Sequence, residues 1–157
     1  MTDAEKLVSV LTEKKMTVAT AESCTGGLIS GAITSVPGSS AVFGYGFVTY
    51  ANEAKKRLVG VKTGTLRKFG AVSAQTALEM AVGARLMAKA DLAVAATGIA
   101  GPDGGSDEKP VGLVYTAVAS KTSVTVKENR FSGDRREIRE QTVAAAIGML
   151  LDEISGR

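Results

Sequence analysis

Thr17-Val18-Ala19-Thr20-Ala21-Glu22-Ser23-Cys24-Thr25-Gly26-Gly27-Leu28-Ile29-Ser30-Gly31-Ala32-Ile33 is the stretch whose reading decides the fold. Thr17 to Thr20 reads as a short buried strand, and Leu28 to Ile33 as a helix whose start is placed as early as Cys24. A strand that turns through hydroxyls and glycines into a helix leaves backbone N–H groups unpaired at the helix start. Those groups and the helix dipole favour an anion, either a phosphate or a developing oxyanion. The alternative is an ordinary capped helix start with Ser23 or Thr25 as N-cap.

Upstream, Thr2-Asp3-Ala4-Glu5 fits a capping box, and Ala4, Leu7, Val8 and Leu11 follow at helical spacing to an end near Lys14-Lys15. Downstream, Pro37-Gly38-Ser39-Ser40 breaks the second helix, and Val42 to Tyr50, rich in aromatics, reads as a strand. Short helices are expected from Asn52 to Val59 and around Leu66. Ser73 can cap a long helix through Lys89, with Ala77, Ala81, Ala84 and Ala88 along a face suited to close packing on a sheet.

Asp91 to Ala96 reads as a strand, and Thr97 to Ser106 as a glycine-rich loop. Val111 to Ala119 reads as a central strand, turning at Ser120-Lys121 into a half-exposed strand from Thr122 to Arg130. Ser132-Gly133-Asp134 caps a last helix that buries Val143, Ile147, Leu150 and Ile154. This order implies one α/β domain over residues 1–157, a three-layer α/β/α sandwich around a mixed, mostly parallel sheet. Ligands of such sheets sit beyond the C-terminal ends of the parallel strands, where the segments after Thr20 and Ala96 converge.

Composition narrows the chemistry. The 157 residues are 45% hydrophobic and 22% charged, ordinary for a globular domain. Aromatics at 4% with no Trp, and a net charge of +3 spread over short basic clusters, argue against nucleic acid as a partner. No apolar run is long enough to span a bilayer and no signal-like leader is read, so a cytoplasmic protein without a membrane partner is expected. The single cysteine allows no intrachain disulfide. The absence of histidine excludes Ser-His-Asp and Cys-His catalysis and His-ligated metals within this chain, and with one Cys and no His a zinc site is not expected. No metal or organic cofactor is expected.

Ser23, Ser40 and Thr97 are the possible nucleophiles, against the plainer roles of helix cap, solvated turn residue and loop-bonding hydroxyl. A hydroxyl needs a base, and without histidine a lysine of depressed pKa is the leading choice. Lys55, beside Lys56 and Arg57, is the candidate: like charges and burial would both depress it, while the alternative is a solvated basic face. Tyr50 could relay a proton between Ser40 and Lys55 or simply pack. Cys24 is read as a small buried residue, although a helix N-terminus could lower its thiol pKa. Arg135, a cation at a helix start, suits an anionic ligand.

Several segments together resemble the CinA C-terminal domain, also known as the nicotinamide-nucleotide amidase family. They are Ala21-Glu22-Ser23-Cys24-Thr25-Gly26-Gly27, Pro37-Gly38-Ser39-Ser40, Gly46-Phe47-Val48-Thr49-Tyr50 with Asn52-Glu53-Ala54-Lys55, and Gly70-Ala71-Val72-Ser73. Thr97 to Gly105, Lys109-Pro110-Val111-Gly112 and Phe131 to Arg135 continue the match in order over nearly the whole chain. The resemblance implies a three-layer α/β/α fold and hydrolysis of the carboxamide of nicotinamide mononucleotide by a Ser-Lys type of mechanism. Carried onto this chain, it implies Ser40 as nucleophile, Lys55 as base and Tyr50 assisting. Ser23 with Thr25 and Gly26, Thr97 with Gly98, and Arg135 are then substrate-positioning or oxyanion-stabilising groups. The pyrophosphatase activity associated with the N-terminal domain of some members is not expected. The partner expected is a small-molecule nucleotide, and the assembly a homo-oligomer, a dimer being favoured.

Overall fold

The computed structural model describes residues 1–156. Five strands form one sheet: β1 (Val18–Glu22), β2 (Phe43–Val48), β3 (Leu92–Gly98), β4 (Leu113–Ala119) and β5 (Val124–Arg130), in the order β2-β1-β3-β4-β5. β2, β1 and β3 pair in parallel; β4 pairs antiparallel with β3 and with β5, so β4 alone runs against the rest. This is the mixed sheet that the alternation of elements predicts.

Residue alternation along the strands builds two unlike faces. Val18, Leu92, Val94, Ala96 and Val118 face α1 (Asp3–Lys14), α2 (Leu28–Thr34) and α6 (Arg135–Ser155), whose Leu7, Leu11, Ile29, Ile33, Ile147 and Leu150 complete a branched aliphatic core. The opposite face is nearly all alanine: Ala19, Ala21, Ala93, Ala95, Ala117 and Ala119. Against it lies α5 (Ala74–Ala88), through Ala77, Met80, Ala81 and Ala84, with α3 (Asn52–Val59) and α4 (Thr63–Phe69) outside. Small residues on both sides let α5 sit close to the sheet. Gly83 extends this closeness to α3, because a Cβ there would collide with the Val59 carbonyl. The position of α3 is thereby fixed, and α3 carries Lys55.

Local signals read from sequence recur as contacts. Thr2 and Glu5 form a capping box, Ser73 caps α5 by accepting from the Thr76 N–H, and Asp134 and Glu137 form a second box at α6. Several boundaries shift by one or two residues, β1 running on to Glu22 rather than ending at Thr20, and two further differences shape the site. α2 begins at Leu28 rather than Cys24, because Gly26 and Gly27 take positive φ of 57° and 108° and hold Cys24 to Gly27 in a turn. Thr97 and Gly98, expected in a loop, are the last residues of β3, where each pairs with β4. No helix among the described residues is long and apolar enough to cross a membrane.

Candidate active site

Parallel pairing brings the C-terminal ends of β1, β2 and β3 to one edge of the sheet. Glu22 pairs with Val48 on one side of β1 and with Ala96 on the other. The next residues along each strand therefore meet: Ser23 after β1, Thr49 and Tyr50 after β2, Thr97 and Gly98 at the end of β3. α3 starts just beyond Tyr50 and turns Lys55 back beneath this edge, so that Lys55 is only 1% exposed.

The Lys55 Nζ lies 3.1 Å from Ser23 Oγ, 2.9 Å from the Thr49 carbonyl oxygen and 3.2 Å from that of Tyr50. Burial lowers the Lys55 pKa below its ordinary 10.5. The expected help from like charges is not what acts, since Lys56 and Arg57 are turned outward to Glu53, at 3.6 and 3.3 Å. A neutral amine has two N–H bonds and a lone pair. In the structure Nζ donates to Ser23 Oγ as it does to both carbonyls; once the amine has lost a proton and keeps its bonds to the carbonyls, the lone pair is left for the Ser23 hydroxyl.

Ser23, Cys24, Tyr50, Lys55, Thr97 and Arg135 all line one cavity of about 200 Å³. Thr97 donates its hydroxyl to the Ala71 carbonyl at 2.8 Å, tying β3 to the α4–α5 connection that walls the cavity. Gly98 lines the same cavity, and a side chain there would strike β4 at Leu113 and Val114. Arg135 closes the mouth: it donates to the Gly101 carbonyl at 2.8 Å and to the Tyr50 hydroxyl at 3.2 Å. Beyond Arg135 and Ala100 a wider chamber of about 680 Å³ opens, lined by Pro102, Val111, Asp134, Arg136 and Arg139.

Ser40 is not part of this cluster. It is exposed, in the single 3-10 turn Ser39–Ala41 that precedes β2, whereas Lys55 follows β2. A strand rises about 3.3 Å per residue, so the length of β2 separates the two. Tyr50 accordingly bridges nothing to Ser40; its hydroxyl meets Arg135 and its carbonyl meets Lys55.

Thr25 and Gly26 also lie off the cavity. Thr25 is fully buried and donates its hydroxyl to Glu22, and Gly26 is exposed beside Arg139. The anion site expected at the start of α2 is already occupied from within, because the Ile29 and Ser30 N–H groups donate to the Glu22 carboxylate at 2.8 and 2.9 Å. Sequence reasoning missed this carboxylate, and it missed Arg139, which donates to the Cys24 and Thr25 carbonyls at 3.1 and 3.2 Å and pins the turn from α6. The signal for Glu22 was its place directly before Ser23. Cys24 is buried, and burial pushes its thiol up to about 11, so its seat near a helix start does not activate it.

The CinA C-terminal domain model matches residues 2–154. A putative competence-damage inducible protein of Acetivibrio thermocellus is 56% identical over 141 residues, 90% of this chain and 34% of that protein. A CinA-like protein of Geobacter sulfurreducens is 59% identical over 138 residues, 88% of this chain and 33% of its own length. The chain spans about a third of the length of these curated relatives. Among solved structures, the competence/damage inducible protein CihA from Agrobacterium tumefaciens superposes with a TM-score of 0.93 at 52% identity, covering 97% of this chain and 96% of that one. A CinA superfamily protein from Klebsiella pneumoniae gives a TM-score of 0.95 at 32% identity, over 99% and 97% of the two chains.

Proposed function

The chain belongs to the CinA C-terminal domain family, and from that premise we propose that it is an amidohydrolase that converts nicotinamide mononucleotide to nicotinate mononucleotide and ammonia. The observation that carries the chemistry is the buried Lys55 amine 3.1 Å from Ser23 Oγ in a cavity open to a small ligand.

In this reading Ser23, not Ser40, is the nucleophile and neutral Lys55 is the general base. Lys55 takes the hydroxyl proton as Oγ attacks the carboxamide carbon. The tetrahedral oxyanion needs fixed donors, and the N–H of Cys24, the residue after the nucleophile, is the candidate, exchanging its contact with the Cys24 thiol for the oxyanion. The Lys55 ammonium returns the proton to the amide nitrogen, the C–N bond breaks, and ammonia leaves an acyl ester on Ser23. Water then gives a proton to Lys55 and attacks the ester, and Ser23 recovers its hydrogen as the carboxylate product departs.

The cavity at Ser23 suits the reacting amide, and the adjoining chamber, with Arg135 at the passage and Arg136 on its wall, suits the ribose phosphate. Thr97 and Gly98 shape the wall and Tyr50, hydrogen-bonded to Arg135, forms the clasp through which the nucleotide enters. Binding of the phosphate supplies remote energy that aligns the amide.

The test is ammonia release from nicotinamide mononucleotide by the purified protein, with Ser23→Ala as control. Turnover by the wild type and its loss in Ser23→Ala are expected. Tight nucleotide binding without ammonia release would make the protein a nucleotide-binding module instead. Full turnover by Ser23→Ala would remove Ser23 as the nucleophile.

A further inference from the structure

Among the described residues only two ionisable side chains of the ordinarily charged kinds are buried, Lys55 and Glu22, and Ser23 touches one and follows the other in sequence. Lys55 has a chemical role in the reading above; Glu22 has none. Its carboxylate is 0% exposed and accepts four hydrogen bonds: from the Thr25 hydroxyl at 2.7 Å, the Ile29 N–H at 2.8 Å, the Ser30 N–H at 2.9 Å and the Ser30 hydroxyl at 2.6 Å. Among the described residues no cation pairs with it; the donors and the positive end of α2 take that place.

Burying a carboxylate costs several kcal/mol unless it is well compensated. A helix start alone could be satisfied by a side chain at the N-cap, the position Gly27 holds here without a side-chain bond. What the four donors add is a tie across the turn, since Thr25 lies inside the segment Cys24 to Gly27 while Ile29 and Ser30 lie on the helix beyond it. The Glu22 backbone reaches the other way. Its carbonyl accepts the Thr49 N–H at 2.7 Å, and the carbonyl of Thr49 accepts from Lys55. Glu22 thus stands between both sides of the Ser23–Lys55 pair without lining the cavity.

We propose that Glu22 is a positioning residue, whose carboxylate locks the turn from Ser23 to α2 so that Ser23 Oγ stays aimed at Lys55. The proposal rests on Ser23 and Lys55 being the reacting pair. Glutamine in its place would turn an NH₂ group towards N–H and O–H donors that require an acceptor. A displacement of the order of 1 Å at a nucleophile costs about 10²-fold in rate.

The experiment follows two readouts in wild type, Glu22→Gln and Glu22→Asp: steady-state hydrolysis of nicotinamide mononucleotide, and the rate at which a fluorophosphonate probe labels Ser23, read by mass. The expected result for Glu22→Gln is a fall of about 10²-fold in kcat and in labelling, with KM unchanged because Glu22 does not reach the cavity. Glu22→Asp, which keeps an acceptor-only carboxylate, should recover part of both. Wild-type kcat and labelling in Glu22→Gln would overturn the proposal, leaving Glu22 a helix cap only.

Should Glu22→Gln fail to fold, Thr25→Val removes one of the four donors and should slow labelling about tenfold; unchanged labelling there would overturn the proposal too. Failure of the underlying reading looks different. Labelling of wild-type Ser23 without hydrolysis of the nucleotide would reject the substrate and leave the labelling comparison to judge Glu22. No labelling of wild-type Ser23 at all would reject Ser23 as nucleophile and Glu22 as its positioner together.

Discussion

Lys55→Met is the perturbation that tests the base most directly. Met has similar length, fits an apolar burial and has neither charge nor basic lone pair. General-base catalysis contributes about 10²–10⁴-fold, so kcat should fall by at least that range, roughly 3–5 kcal/mol of transition-state stabilisation. Stability should change in a manner that depends on pH. Burial holds the folded-state pKa of Lys55 below the ordinary 10.5. Between the lowered folded pKa and 10.5 the unfolded chain binds the lysine proton and the native chain does not, so native stability rises with pH across that window. Below the folded pKa both states carry the proton and this term is constant. The variant has no such group. The wild type should therefore gain stability relative to Lys55→Met as pH climbs through the window towards 10.5. The assay is thermal melting of both proteins from neutral to alkaline pH, beside initial rates over the same range. Wild-type kcat/KM should rise with pH as Lys55 loses its proton. A stability difference that is flat with pH, or a Met variant with wild-type turnover, would refute the reasoning.

Ser40→Ala should leave hydrolysis within about twofold of wild type, because Ser40 is exposed at the far end of β2 from Lys55; a large loss in kcat would bring it back into the mechanism. The Cys24 thiol, pushed up to about 11 by burial, should resist iodoacetamide at pH 8 in the native protein and react once unfolded, as intact mass would report; fast native alkylation would contradict the burial argument. Arg135→Ala should narrow the ratio of kcat/KM between nicotinamide mononucleotide and nicotinamide riboside, since it removes the charged fork between cavity and chamber; an unchanged ratio would take Arg135 out of phosphate recognition.

The layers, the strand count and most helix ends were legible from periodicity and capping residues. The site was legible in its parts but not in their pairing. Ser40 and Lys55 flank the same strand, which makes them neighbours in sequence and strangers in space: a strand separates whatever precedes it from whatever follows it. Ser23 and Lys55 are 32 positions apart and in hydrogen-bond reach, because β1 and β2 run in parallel and end at the same edge. That rule is available from sequence once β1 and β2 are read as parallel strands, and it selects the serine after β1 over the serine before β2. Glu22 was harder. A glutamate at the end of a buried strand carries no periodic signal, and its four donors come from a turn whose glycine conformations only the structure fixes.

The absence of histidine ties these features together. A lysine serves as base only when its amine sheds a proton near working pH, and that needs either a neighbouring cation or removal from water. Here Lys56 and Arg57 face outward, so the burden falls on burial. Burial demands that every N–H of the amine find an acceptor, and the carbonyls of Thr49 and Tyr50 supply two at the strand end. Those carbonyls are available because β2 stops pairing there and turns into α3. The close seat of α3 depends in turn on Gly83 and on an alanine face that lets α5 approach the sheet. Small residues remote from the cavity thus decide how dry Lys55 is, so the alanines that looked like mere packing in the sequence belong to the argument for the proposed base.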